Sequence, residues 1–271
     1  MNQAPLALAF LLGFIGLLTF FTVRVRAGQK PALRRIRAFD TLKELMGRAV
    51  ESGRMLHVSL GVGSMANQST ADSLAGLSVL NFLSEQAAET NTPPIVSMSD
   101  PTVMLFAQNA VRTAHADSLA GVEEASRQVR WIAPQPAAYA AGVMNILDSE
   151  EVDGTVMVGK FGDEYLLMGE TAARHGMAHI GGTSDPNTLP FIYASAQETL
   201  LGEEIYAAGA YLKNNPTHLA SLVAQDGIRW VVALIIMGGV LVATLNWGWL
   251  WILIAVLIAV FLASIIVSWL R

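Results

Sequence analysis

"HVSLGVGSMANQSTAD", residues 57–72, is the stretch on which the reading of this chain turns. A run alternating at a period of two ends in Gly61-Val62-Gly63-Ser64, and helix-start residues follow at Ser69, Thr70 and Asp72. A strand that turns through glycine into a helix is the opening unit of a parallel α/β sheet. Such folds also hold phosphates there, because backbone N–H groups and a helix dipole converge on that turn. The same glycines equally serve a tight turn in any such fold.

Working outward, the alternation of strand and helix continues. Helical spacing over 39–52 precedes the apolar run 55–61, and a second helix covers 70–90. Strands follow at 94–100, 129–134, 154–162 and 177–183. Between them lie helices at 101–116, 136–150 and 163–176, the first two opening on or near proline and the last closing on Gly176. A final helix is expected from about 197 to 213. This pattern predicts an α/β domain: a doubly wound, Rossmann-like, mostly parallel sheet of about five strands covered on both faces.

The ends are different in kind. The chain has 271 residues, 53% of them hydrophobic, a proportion that points to membrane segments. Residues 5–23 carry no charge and reach roughly 28 Å as a helix, enough for a hydrocarbon core. Residues 230–270 are also uncharged but would reach about 60 Å as one helix, twice the bilayer. They are therefore expected to fold back as helices at about 229–245 and 249–270, turning through "NWGW" at 246–249. Gly238, Gly239 and Ala243 share a face of the first of these and permit close packing.

Six basic residues and no acidic one lie between Arg24 and Arg37, and this collar sets the expected orientation. A secretory signal places its positive charges before the apolar run. Here they follow it, which favours an uncleaved anchor over cleavage at "VRA" (25–27). The organisation that results is a transmembrane anchor (1–24), a basic juxtamembrane collar (25–37), an α/β domain (38–227) and a transmembrane hairpin (228–271). One N-terminal and two C-terminal transmembrane helices would make a multi-pass plasma-membrane protein with a cytoplasmic domain.

Composition excludes several chemistries. With no cysteine there is no disulfide, thiolate nucleophile or cysteine-ligated metal. All 22 acidic residues fall between Asp40 and Asp226 against nine basic ones, a net of −13, so nucleic acid is not an expected partner.

If 55–61 is the first strand, the loops 61–70 and 181–190 both leave strand ends and face one crevice. Gly61, Gly63, Ser64, Thr70, Gly181, Gly182, Thr183, Ser184 and Asp185 are the candidate ligand-binding residues, with Glu164 as a further polar contact. A dinucleotide fingerprint would want glycine where Ala66 stands, no P-loop lysine follows, and neither loop carries a basic residue. Tight-turn glycines and a small-ligand pocket remain the two readings. His175 and His179 are four apart, but Gly176 breaks the helix that would pair them on a metal. Lys160 stands near a strand end, His57 alternates within a strand, and no Gly-x-Ser-x-Gly elbow occurs. No catalytic residue, metal or cofactor is assigned.

The segments "SLGVGSMANQSTADSLAGL" (59–77), "GKFGDEYLLMGE" (159–170), "IGGTSDPNTLPF" (180–191) and "GEEIYAAGAYL" (202–212), flanked by apolar termini, carry a resemblance. Together they resemble an uncharacterised bacterial family of membrane-anchored α/β domains of unknown function, over most of residues 38–213. The resemblance implies the architecture and brings no catalytic residue with it.

Three functions are compatible with these residues. The first is a non-catalytic, self-assembling scaffold in the bilayer, a homo-oligomer contacting itself through Ala207, Ala208 and Ala210 with Gly202 and Gly209. The second is a small-ligand sensor or enzyme using the crevice. The third is an accessory subunit packed on other membrane proteins.

Overall fold

In the computed structural model, which describes residues 4–27, 33–90, 92–213, 215–245 and 254–263, the chain divides into two compact units. One comprises residues 33–215, the other residues 1–32 with 216–271.

The alternating run that opens the sequence forms β1 (Met55–Gly61), preceded by α2 (Arg37–Ser52) and followed by α3 (Thr70–Thr90). Then come β2 (Ile95–Met98), α4 (Pro101–Ala114), α5 (Leu119–Arg127), β3 (Val129–Trp131), α6 (Pro136–Ser149) and β4 (Val152–Lys160). The unit closes with α7 (Glu164–Arg174), β5 (Ala178–Thr183), α8 (Leu189–Ser195), β6 (Glu198–Leu201), a 3-10 turn (Gly202–Ala207) and α9 (Ala208–Tyr211). The strands form one sheet in the order β3-β2-β1-β4-β5-β6, and every neighbouring pair is parallel. Local chemistry fixes the boundaries. Asp100 accepts from Thr102 N (2.8 Å) and Val103 N (3.3 Å) ahead of Pro101 to start α4. Gly53, at φ 67°, stops α2.

The sheet has six strands where about five are expected, and the sixth corrects the expected helix at 197–213. Thr199 and Leu200 pair in register with Gly181 and Gly182, Leu200 is fully buried, and Gly202 at φ 61° ends the strand. Three glutamates among apolar residues mimic a helical period there; edge pairing on β5 overrides it. The small residues Ala207, Ala208 and Ala210 are all buried, where the 3-10 turn and α9 pack on α3. The face expected to drive self-association is therefore spent on the domain's own fold.

Successive side chains of each strand serve opposite layers. Leu56, Val58 and Leu60 point to the side covered by α2 and α3; Gly76 brings α3 so near that a Cβ would lie 2.4 Å from the Val158 carbonyl oxygen. His57 and Ser59 point to the side covered by α6, α7 and α8, where Tyr139, Val143, Met157, Phe161, Tyr165, Met168 and Ile192 form the core. Helices on both faces are what right-handed crossovers from a central β1 produce.

Of the basic collar, Arg34, Arg35 and Arg37 belong to this unit. Arg34 pairs with Glu204, Arg35 with Asp40 (2.7 Å) and Arg37 with Glu198 (3.8 Å). All three guanidinium side chains are at least three-quarters exposed, so each pair contributes about 1 kcal/mol at most. Tyr211, stacked on Phe39 at 5.1 Å, donates to the Arg34 carbonyl (2.5 Å) and anchors the segment further.

The second unit contains α1 (Ala4–Arg26), α10 (Pro216–Leu245) and α11 (Ile254–Ala263). Among the described residues α10, over Pro216–Thr244, is the helix long and apolar enough to cross a membrane. It begins at Pro216 rather than near 229, so the expected short helix is the second half of a 30-residue one. Ala220, Ala224 and Gly227 are buried at helical spacing, and α1 packs along α10. Gly238 approaches Ile254 of α11 so closely that a Cβ would stand 2.7 Å from its Cδ1, the use of a small residue read from the sequence. The expected "NWGW" turn, Lys30 and Arg271 lie outside the described residues.

A polar row crosses the core beneath α6 and α7. His57 shares hydrogen bonds with Thr155 Oγ1 (2.8 Å) and Ser97 Oγ (2.9 Å), and Tyr139 OH bridges Ser59 (2.6 Å) and Ser97 (3.1 Å). Farther along, His179 meets Tyr165 OH at 2.9 Å. Burial, then the neighbouring His179 and Arg130 charges, pushes His57 down to about 3, and burial pushes His179 down to about 4. Both rings are therefore neutral in the folded chain, whereas an unfolded chain protonates them near 6.5. Above that pH they add no pH dependence. As pH falls from about 6.5 to about 5, the unfolded state takes up protons that the folded state refuses. Stability should drop by up to about 1.4 kcal/mol per pH unit per histidine. Melting of the solubilised chain across that range checks this, and His57→Gln should reduce the slope.

Candidate functional site

The strand order reverses between β1 and β4, with β2 and β3 on one side and β5 and β6 on the other. In a doubly wound sheet the crevice at such a switch point is where ligands bind. The local sequence builds it. Ser59 pairs with Met157, but Gly61 pairs with Lys160, so β4 carries one extra residue. This bulge places Lys160 instead of Gly159 opposite Gly61 and turns its side chain into the crevice. Gly61 has φ 76°, and a Cβ there would sit 2.1 Å from the Lys160 carbonyl oxygen, which accepts from Val62 N (2.8 Å). A Cβ on Gly159 would sit 2.4 Å from the Leu60 oxygen. Only glycine allows the two strands to pass this closely.

Above them opens a cleft of about 810 Å³. Val62, Asn67, Gln68, Ser69 and Asp72 line it from the β1–α3 side, Lys160 from the end of β4, and Ser184, Asp185 and Pro186 from the loop after β5. The loop before α3 is braced internally. Ser69 Oγ accepts from Ser64 N (2.9 Å), Ser69 N donates to Asn67 Oδ1 (2.8 Å), and Thr70 Oγ1 donates to Asn67 O (2.6 Å). Across the cleft Lys160 Nζ pairs with Asp185, and this ammonium holds Asp185 below the usual carboxylate range. Asp72 Oδ1 accepts from both Ser184 Oγ (2.7 Å) and Tyr206 OH (2.5 Å). Burial, then Asp72, pushes the Tyr206 phenol up, which keeps it a donor to the carboxylate.

The residues singled out from sequence divide accordingly. Ser184 and Asp185 line the cleft, while Gly61 and Gly63 shape its floor; a Cβ on Gly63 would lie 2.5 Å from Ser73 Oγ. Ser64 and Thr70 brace the loop through the bonds just described. Gly181, Gly182 and Thr183 are buried strand residues outside it. A Cβ on Gly181 would collide with Tyr165 OH at 2.0 Å, and one on Gly182 would press on Leu200 and Ile205. Both are packing glycines. Glu164 turns back to accept from Gly162 N (2.7 Å), and His175 bonds Asp148 (2.7 Å) while His179 faces Tyr165, so the two histidines share no ligand. Sequence reasoning missed Asn67, Gln68 and Tyr206 and took Asp72 only as a first-turn charge. It singled out Lys160 without seeing its partner.

A Rossmann-like α/β domain with a mixed-charge crevice at its switch point, in one chain with apolar helices, is the class these features define. The chain belongs to the DUF6754 family, described as a domain of unknown function, whose model matches residues 2–255. No curated protein and no solved structure matches it.

The glycine at the strand crossing gives a direct test. Gly53 and Gly61 have similar positive φ, 67° and 76°, but only Gly61 has backbone within reach of an added Cβ. Gly53→Ala should cost about 1 kcal/mol, the strain of a left-handed alanine alone. Gly61→Ala should cost at least about twice that, since overpacking adds about 1–3 kcal/mol. Thermal unfolding of the two variants side by side reads the difference.

Proposed function

We propose that this protein is a membrane-anchored binding domain that takes a small polar ligand at the β1/β4 switch point and works as a sensor, with no catalytic step assigned. The single observation behind this is the cleft, where a bulge, two forced glycines and side chains from three stretches of the chain converge on one cavity. Each of those features costs stability in a domain that needs only to fold. Binding is tested by the stability of the solubilised full chain against panels of nucleotides, sugars, amino acids and acyl metabolites. At 100 times Kd the right class should stabilise by about 2.7 kcal/mol. Gln68→Trp, which fills the cleft from its exposed rim, should abolish the shift. Failure of every class would refute the reading.

The setting we propose is a bacterial plasma membrane crossed three times, by α1, α10 and the segment containing α11, with the binding domain cytoplasmic. The apolar length of α10 and the arginines in the last turn of α1 support it. The absence of cysteine makes the topology readable with introduced ones. A membrane-impermeant maleimide should label Asn2→Cys on intact cells and Glu89→Cys only after permeabilisation. The reverse pattern would overturn the orientation.

A second reading, assembly with further copies or docking on another membrane protein, is favoured by one observation. Leu105 and Phe106 stand exposed on α4, at 67% and 49%. A solubilised particle with the mass of a single chain would exclude self-assembly.

A further inference from the structure

We infer that the switch-point cleft selects a small zwitterion, an α-amino acid or close analogue, whose ammonium meets Asp72 and whose carboxylate meets Lys160; the inference rests on the reading of the cleft as the ligand site. Asp72 lines the cleft yet is only 6% exposed. Ser184 and Tyr206 both donate to its Oδ1, and among the described residues nothing donates to Oδ2. That second oxygen is the acceptor this side chain leaves open at the cleft wall. Two hydroxyl donors fix this side chain in place, so the open oxygen is an oriented acceptor.

The position of that acid decides against the usual occupant of such folds. Asp72 lies in the first turn of α3, where the helix end would otherwise attract a phosphate. Here the chain supplies the anion itself, and a phosphate would be brought against like charge. Lys160 provides the opposite pole. Its ammonium has three donors, pairs with Asp185, and remains one-third exposed toward the cleft. Asp185 is committed elsewhere as well, accepting from Asn187 N (2.9 Å) through Oδ1. Two carboxylates and one ammonium leave the lining one negative charge in excess. A dianionic ligand aggravates that imbalance, and a simple amine leaves the remaining Lys160 donors unused. A ligand with one charge of each sign answers both poles, while Val62 and Pro186 offer apolar surface to a side chain.

The test is calorimetric titration of the full chain in lipid nanodiscs with the twenty L-amino acids, cadaverine, ATP, NAD and inorganic phosphate. At least one amino acid should bind saturably, and its N-acetyl and methyl-ester derivatives should each bind about tenfold or more weakly. Asp72→Asn should weaken the free amino acid by a similar factor while leaving the N-acetyl derivative unchanged, and Lys160→Met should do the same with the methyl ester. The derivatives carry the test even where a variant does not fold. Binding of ATP, NAD or phosphate that Gln68→Trp abolishes, with no amino acid bound, overturns the zwitterion and leaves the cleft as a ligand site. Cadaverine binding alone overturns it equally. No binding by any probe class overturns the ligand-site reading as well.

Discussion

The passage of β1 beside β4 at Gly61 and Gly159 is the contact on which the rest of the domain depends. At both points a methyl group would be driven into the carbonyl oxygen of the facing strand. From Leu56 to Ser59 the strand β1 runs in one register with Gly154 to Met157, and it can slip by one residue beyond that only because neither position carries a side chain. The slip comes at the last pairing of the two strands, Gly61 with Lys160. It lets the β1–α3 loop rise on one side and the β5–α8 loop on the other, and it gives Lys160 its direction. Without the bulge, strand alternation would put Gly159 opposite Gly61 and leave the crevice without its cation.

The strand order is that of a dinucleotide-binding sheet, but the electrostatics are not those of a dinucleotide site. Such a site leaves a helix N-terminus open for pyrophosphate. Here α3 carries Asp72 in its first turn, held by Ser184 and Tyr206, residues from two other segments. Topology alone therefore marks where a ligand would sit, and the side chains set the charges that it would meet there. The acidic balance of the domain acts in the same direction, since a net negative surface lowers the local concentration of phosphorylated metabolites before any contact forms.

What the sequence disclosed follows from range. Strands β1 to β5 and helices α2, α3, α4, α6 and α7 are written in local alternation and punctuation, and they are where the pattern puts them. Strand β6, with three glutamates in seven residues from 198 to 204, has no local strand signal; its pairing on β5 makes it one. Gly181-Gly182 reads as a turn because two glycines at a strand end give the same local pattern whether they free the backbone or admit Tyr165 and Leu200. The pairs that define the cleft are long-range: Lys160 with Asp185, and Asp72 with Tyr206, 134 residues apart. Lys160 carried a legible hint, as a lysine ending an apolar run, but its role needed the bulge, and a one-residue slip leaves no trace in periodicity.

The buried polar row bears on the same geometry from the opposite direction. A parallel sheet covered on both faces is specified weakly by hydrophobicity alone, because apolar side chains are welcome on either side. His57, Thr155 and His179 are in register across β1, β4 and β5, and the bonds of His57 to Thr155 and Ser97 close only in that register. Slipping β1 by one residue would turn His57 toward α2 and α3, away from Thr155, Ser97 and Tyr139, and strand a buried imidazole. The row lies upstream of the bulge, so it locks the pairing that the bulge then departs from. A neutral imidazole suits this role: His57 hydrogen-bonds on both edges without the desolvation penalty of a charge. The acid sensitivity it confers is the consequence of using a titratable group to hold the register.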